Sequence, residues 1–540
     1  MIRRLALVTA LLVAASSTVS DAGAQENLPK VLGAGSTWSQ NAVEQWRADV
    51  ARFGLRVDYS GGGSTLGRTF FAENRVDFGV SEIPYSPGDQ YQASDDASCG
   101  KGGQRVNGRC FVYLPIVAGG TAVMYNVRDA AGNEVRNLRL SPATIAKIFT
   151  GTIWRWSDPA ITADNGGRQL PDRQINVVYR SDGSGTTAQF TAWLAKAPGA
   201  REVWNAWASC RSTAPVTSTF PGQQFLQNFP CDPPGRAVAA QGAAGSDGVA
   251  NVVDNEATGP FSITYVETSY ALERDRPVVA VRNTSGAYVL PTARNVAKAL
   301  ERARINGNNR TQVLDDVYVH PDPIAYPISS YSYMIAPTNG VDPKKGEAIA
   351  RFIHYFVCAG QASAPALGYS PLPRVLVELS IDAAAQIPGA PAPPRVDPST
   401  CRNPTLGDPA FSGPRVEPGR ATSGLGGGGG RRDVGGRFGF RRLRFLGFPG
   451  GTTAGEDPAA GDVAGSGDLD DAYAGAEGDA AGGLRASEIA AIDQELGRLD
   501  EGQGLFFTLV AVAVVVVALA PAFAVRRRDR AREREADRGG

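Results

Sequence analysis

The chain has 540 residues, with 54 Lys and Arg against 54 Asp and Glu, so its formal net charge is zero. That length is more than one ordinary domain needs and supplies a large core. The balanced charge excludes the basic excess of a nucleic-acid binder and the acidic excess of a disordered acidic chain, so no nucleic-acid partner is expected. At the N-terminus, Arg3 and Arg4 precede an apolar stretch from Leu5 to Ala15, and Ala22-Gly23-Ala24 follows as a small-residue cleavage site. The apolar stretch is too short to span a bilayer, so residues 1–24 are expected to be a signal peptide with the mature start near Gln25. The six Cys fit an exported protein and fall in three local sets: Cys99 and Cys110, Cys210 and Cys231, Cys358 and Cys401. Fifteen pairings are open for six cysteines; sequence-neighbour pairing is the expectation. There is no CxxC, and the only histidines are His320 and His354. No zinc site, other metal or cofactor is therefore expected.

Residues 25–402 have the composition of a globular domain. Short apolar runs such as Val31-Leu32, Leu55-Arg56-Val57 and Ile175 to Val178 alternate with helix-like segments at Asn41 to Phe53, Thr186 to Ala197, Ala293 to Ala303 and Lys345 to Val357. Strands alternating with helices predict an α/β architecture, and the size predicts two lobes. Three small-residue segments lie between a strand and a helix: Gly33 to Trp38, Ser60 to Gly67, and Arg180 to Thr187. Glycines there let the backbone approach a ligand, and Ser and Thr supply donors. Each following helix start leaves N–H groups without intrahelical partners, in a dipole that favours an anion. One such loop is usually only a turn and a cap; three in one exported α/β chain point to an oxyanion site. No GxxxxGK[ST] is present. Gly183-Ser184-Gly185 lacks the spacing of a GxSxG nucleophile elbow, and neither histidine is near it in sequence.

Charged residues refine the reading. Arg180 can grip an oxyanion with two donors, and Asp182 can orient that guanidinium. Glu82 lies in Val76 to Glu82, just past the second loop. An ionised carboxylate only accepts hydrogen bonds. It can accept from phosphate, which keeps a proton near neutral pH, and it repels sulfate, which has none.

Beyond residue 402 the composition turns to Gly, Pro, Ala and Asp, with Gly426 to Gly430 an unbroken run. Residues 403–504 are expected to be a disordered linker and stalk, because too little apolar surface offsets the entropy of ordering. Leu505 to Val525 is free of charge and about 31 Å long as a helix, the thickness of a bilayer core. Arg526, Arg527, Arg528, Arg530, Arg532 and Arg534 follow in the 526–540 tail. By the positive-inside rule the tail is cytoplasmic. The expectation is a single-pass cell-membrane protein with its binding domain on the extracytoplasmic side.

GAGSTW (33–38), YSGGGSTLG (59–67), VDFGVSE (76–82) and RSDGSGTTAQFTAWL (180–194), in this order, resemble the periplasmic phosphate-binding proteins of ABC importers. Weaker matches follow at 117–127, 148–161, 245–252, 263–267 and 368–378, so the resemblance covers residues 28–380. It implies a type II periplasmic-binding-protein-like fold, two α/β lobes closing on a hinge. Lobe 1 would take 28–116 and 288–400, and lobe 2 would take 117–287. It implies a phosphate site formed by Thr37, Trp38 through its backbone, Ser64, Glu82, Arg180, Ser184, Gly185 and Thr186, with Asp182 supporting Arg180 and no catalytic residue. The implied partners are inorganic phosphate and ABC permease subunits, with the protein a monomer. Trp38 stands where the family usually has Phe, and Glu82 where it typically has Asp. Segments 89–112 and 209–236 look like insertions. Two other functions remain open on sequence: a phosphomonoester hydrolase on the same fold, and a surface sensor or adhesion protein on a stalk.

Overall fold

Strand β1 (Val31–Gly35) starts the sheet and is followed by helix α1 (Gln40–Ala51), strand β2 (Val57–Gly61), helix α2 (Ser64–Ala72) and strand β3 (Phe78–Ser81). The computed structural model describes residues 28–86, 89–208 and 240–417. In α1 the buried residues are Ala42, Val43, Trp46 and Val50, the one-face spacing of a helix packed on a sheet. β2 and β3 pair in parallel with β1 on either side, Gly33 lying opposite both Tyr59 and Phe78. Helix α2 rides close against β1. A Cβ on Gly67 would stand 2.5 Å from Gly35 Cα, so only glycine permits the approach.

Strand β4 (Arg109–Asn126) is 18 residues long and almost wholly buried. After it come β5 (Asn176–Arg180), α3 (Gly185–Lys196), β6 (Ala240–Ala243), α4 (Gly245–Asp254), β7 (Ser262–Glu267) and α5 (Thr268–Glu273). The chain then returns with β8 (Ser329–Pro337), α6 (Pro343–Val357), β9 (Tyr369–Ser370) and α7 (Arg374–Ala384). The sheet order is β2-β1-β3-β8-β4-β7-β5-β6. β4 changes partner halfway: β8 pairs with its residues 111–120, and β7 with residues 121–126.

Strand directions decide where the loops go. β8 is antiparallel to both β3 and β4, so β1, β2 and β3 run with β4 toward the partner change. β7 is antiparallel to β4, and β5 and β6 are parallel to β7, so they run back toward the same point. The carboxyl ends of both sets therefore face one junction, where open α/β sheets hold their ligands.

The mixed α/β fold agrees with the sequence reading, and the expected helices form at Gln40–Ala51, Gly185–Lys196, Ala293–Leu300 and Pro343–Val357. Disulfides join Cys99 to Cys110 and Cys358 to Cys401, as sequence proximity predicted. The former braces a hairpin, Ala93–Asp95 with Gly103–Val106, inside the first expected insertion. The boundary at residue 402 needs correction. Asn403, Thr405 and Leu406 are buried. Asn403 Nδ2 donates to the Val357 and Leu372 carbonyls at 3.1 and 3.0 Å, and Arg415–Val416 pairs in parallel with Arg304–Ile305. Gly/Pro-rich composition misled here, because short polar side chains anchor this stretch to backbone carbonyls next to the Cys358–Cys401 bridge. Among the described residues no helix is long and apolar enough to cross a membrane. The expected signal peptide, the Cys210–Cys231 pair, the rest of the linker and the span 505–525 lie outside the described residues.

Candidate functional site

Four helix starts meet at the junction: those of α1, α2, α3 and α4. The first loop, Ser36 to Ser39, leaves β1. Its Thr37 Oγ1 lies 2.9 Å from Ser246 Oγ and accepts from Ser246 N at 3.2 Å, which ties β1 to the start of α4. The second loop leads into α2, where Ser64 Oγ donates to Glu82 Oε2 at 2.6 Å and accepts from Gly185 N at 3.2 Å. The third loop leaves β5. Arg180 Nη1 reaches Thr186 Oγ1 at 3.2 Å and Ser246 Oγ at 3.3 Å. Asp182 takes the other edge of the guanidinium, with Arg180 Nε at 2.7 Å and Nη2 at 2.5 Å, and Asp182 Oδ1 also accepts from Gly245 N at 3.0 Å.

These links form one unbroken cluster of Thr37, Ser246, Arg180, Thr186, Gly185, Ser64 and Glu82. Arg180 and Glu82 are each only 1 % exposed, so both charges are held by protein groups and not by bulk water. Burial acts to raise the Asp182 carboxyl, but the hydrogen bonds and charge of Arg180 outweigh it and hold it below its ordinary value. Gly185 has no room for a side chain: a Cβ there would stand 2.0 Å from Glu82 Oε2. Ser184 is used differently from its neighbours, its Oγ accepting from Thr187 N as the N-cap of α3.

Trp38 is fully buried. Its indole Nε1 donates to Thr121 Oγ1 at 3.2 Å, and its backbone N donates to Ser36 Oγ at 2.9 Å. Three phenols hold three successive carbonyls of this loop: Tyr59 donates to Ser36 O at 2.8 Å, Tyr270 to Thr37 O, and Tyr369 to Trp38 O at 2.7 Å. Burial above all pushes each of the three well above the ordinary tyrosine value, so all stay protonated and donate. With its three carbonyls held by phenols, the buried loop is fixed at the edge of the junction.

All the residues the sequence singled out lie around this junction, though Ser184 enters only through the loop it shares with Gly185 and Thr186. Sequence reasoning missed Ser36, Ser246, Ser332 and the three tyrosines. Ser246 carried a usable signal, since Gly245-Ser246 before a helix has the same character as the three chosen loops. Ser332 carried none: it is one serine in a buried strand, brought in by the pairing of β8 with β3. Among the described residues no group of three or more His, Cys, Asp or Glu is placed to hold a metal ion. His320 Nδ1 accepts from Asp322 N, and neither histidine belongs to the cluster.

A family model described as the PBP superfamily domain matches residues 14–359. The chain is 32% identical over 345 residues to phosphate-binding protein PstS 2 of Mycobacterium tuberculosis, covering 63% of this chain and 82% of that one. It is 28% identical over 368 residues to phosphate-binding protein PstS of Methanocaldococcus jannaschii, covering 65% and 85%. A solved phosphate-binding protein from Stenotrophomonas maltophilia superimposes with a TM-score of 0.45 at 20% identity, over 72% of this chain and all of that chain.

Proposed function

The chain belongs to the PBP superfamily, and from that premise we propose that it is an extracytoplasmic receptor that binds inorganic phosphate and delivers it to the permease of an ABC importer. It is a binding protein and not an enzyme. One observation supports this most directly. A buried guanidinium and four helix starts surround the same junction as a buried acceptor carboxylate, linked through Ser64, Gly185 and Thr186. The guanidinium and helix starts suit any oxyanion. The carboxylate suits only one that still carries a proton, which is phosphate and not sulfate.

In this reading Thr37, Ser64, Glu82, Arg180, Gly185 and Thr186 contact phosphate, with Ser184 capping the third loop and Asp182 holding Arg180, while the Trp38 N–H, expected from sequence to face the anion, is given to Ser36 Oγ. The two halves of the sheet act as lobes on the hinge where β4 changes partner, and closure gives the permease a ligand-dependent surface. The apolar run Leu505 to Val525 and its arginine stop support a membrane tether, with the domain held outside on the linker. Calorimetry of the full chain tests the core of this reading. It should show one phosphate per chain, bound far more tightly than sulfate; equal affinity for the two anions would remove it.

A further inference from the structure

Glu82 meets three hydroxyls, and they divide its two oxygens unequally. Ser36 Oγ donates to Oε1 at 2.5 Å and Ser332 Oγ to the same oxygen at 2.8 Å. Ser64 Oγ donates to Oε2 at 2.6 Å. Oε2 is also the oxygen that faces the third loop, since it blocks any side chain at Gly185. One carboxylate oxygen is thus tied back to the scaffold, and the other is turned toward the anion-binding loops.

Both tying hydroxyls have further partners, and those of Ser36 leave its proton no other acceptor. Ser36 Oγ accepts from Trp38 N at 2.9 Å and from Ser39 N at 3.4 Å, so its lone pairs are engaged and its proton goes to Glu82. Ser332 Oγ lies 2.9 Å from Ser39 Oγ. It donates to Ser39 Oγ as well as to the carboxylate, so its single proton is shared between the two acceptors. Ser332 comes from β8, which pairs Tyr333 with Ser81 and so lies beside the strand end that carries Glu82. The Glu82 carbonyl is held as well, accepting from Gln189 Nε2 at 2.8 Å. Ser36 and Ser332 are 0 % exposed, so water does not compete for these bonds.

We propose that Ser36 and Ser332 are specificity-determining positioning residues: they clamp Oε1 of Glu82 and leave Oε2, beside Ser64, as the oxygen that accepts the anion's proton. This rests on the phosphate reading above. Glutamate carries its carboxylate on a two-methylene arm with several rotatable bonds. An unclamped glutamate can swing away from the lone pairs of sulfate, while a clamped one must meet and repel them. A carboxylate has about four lone-pair sites; the three hydroxyls leave one open, on Oε2.

Calorimetric titration of the full chain with inorganic phosphate and with sulfate tests the clamp, using Ser332→Ala, Ser36→Ala and Ser332→Thr. Each alanine variant should lower the phosphate-to-sulfate affinity ratio by about tenfold, and Ser332→Thr, which keeps the hydroxyl, should restore it. Melting without ligand confirms that each variant is folded; if Ser332→Ala is not, Ser36→Ala decides. A ratio unchanged in the folded alanine variants, or both anions weakened by one common factor, overturns the clamp. Those outcomes leave the phosphate reading standing, because that reading fails on the wild-type titration alone, by equal affinity for the two anions or by none.

Discussion

The two walls of the junction are built by the same local recipe and carry opposite chemistry. On the β1–β3 side, strand, small-residue turn and helix start present neutral hydroxyls and one carboxylate. On the β5–β6 side the same recipe presents a guanidinium, its aspartate and two more helix starts. The second wall attracts any oxyanion. In the proposed reading the first tests whether that oxyanion carries a proton. On that reading, strength and selectivity sit on different sides of the junction, and substitutions on each side should separate them.

Arg180→Ala makes the largest difference. It leaves Asp182 buried without its partner and removes the cation, so phosphate affinity should fall about 100- to 1,000-fold, with sulfate falling in step. An unchanged phosphate affinity in calorimetry would place the strong wall elsewhere. Glu82→Gln acts on the other wall. Its amide can donate to sulfate, so the phosphate-to-sulfate ratio should fall by about tenfold or more while affinity for oxyanions as a class survives. A ratio that held in this variant would break the division between the walls.

Asp182→Asn sharpens the comparison through pH. The Asp182 carboxyl is held below its ordinary value by Arg180. Its contribution to stability is therefore complete above the ordinary carboxylate range and is lost as pH falls through that range and below it. Melting curves should show the wild type losing stability below about pH 4 more steeply than Asp182→Asn. Equal slopes would mean the pair adds nothing to stability. Trp38→Phe should have the smallest effect on the site. It deletes the indole bond to Thr121 at a cost of about 1 kcal/mol in unfolding experiments, while phosphate affinity holds because the backbone bonds of residue 38 to Ser36 and Tyr369 are kept.

Much of both walls is legible in the sequence, because local chemistry dictates it. Gly33 to Trp38, Ser60 to Gly67 and Arg180 to Thr187 each need small residues to turn from a strand into a helix. Arg180 and Asp182 are two residues apart and pair through that turn. The first and third disulfides follow from proximity along the chain. The end of the domain was less legible: composition put it at residue 402, while burial and strand pairing carry it at least to Val416. A Gly/Pro-rich stretch does not reveal in sequence that its few polar side chains will find buried carbonyls.

The sequence alone determined the α/β class, three small-residue strand-to-helix turns, the cation and the carboxylate, since each depends on residues within a few positions of one another. Only the tertiary structure decided how they are held. Ser332 reaches Glu82 across 250 residues, Tyr369 reaches Trp38 across 331, and Ser246 reaches Thr37 across 209. Such partners depend on strand register and on the point where β4 changes partner, and no local pattern encodes either. The carboxylate could be read from its neighbours in the chain, but the direction it faces is set by hydroxyls that only the folded sheet brings to it.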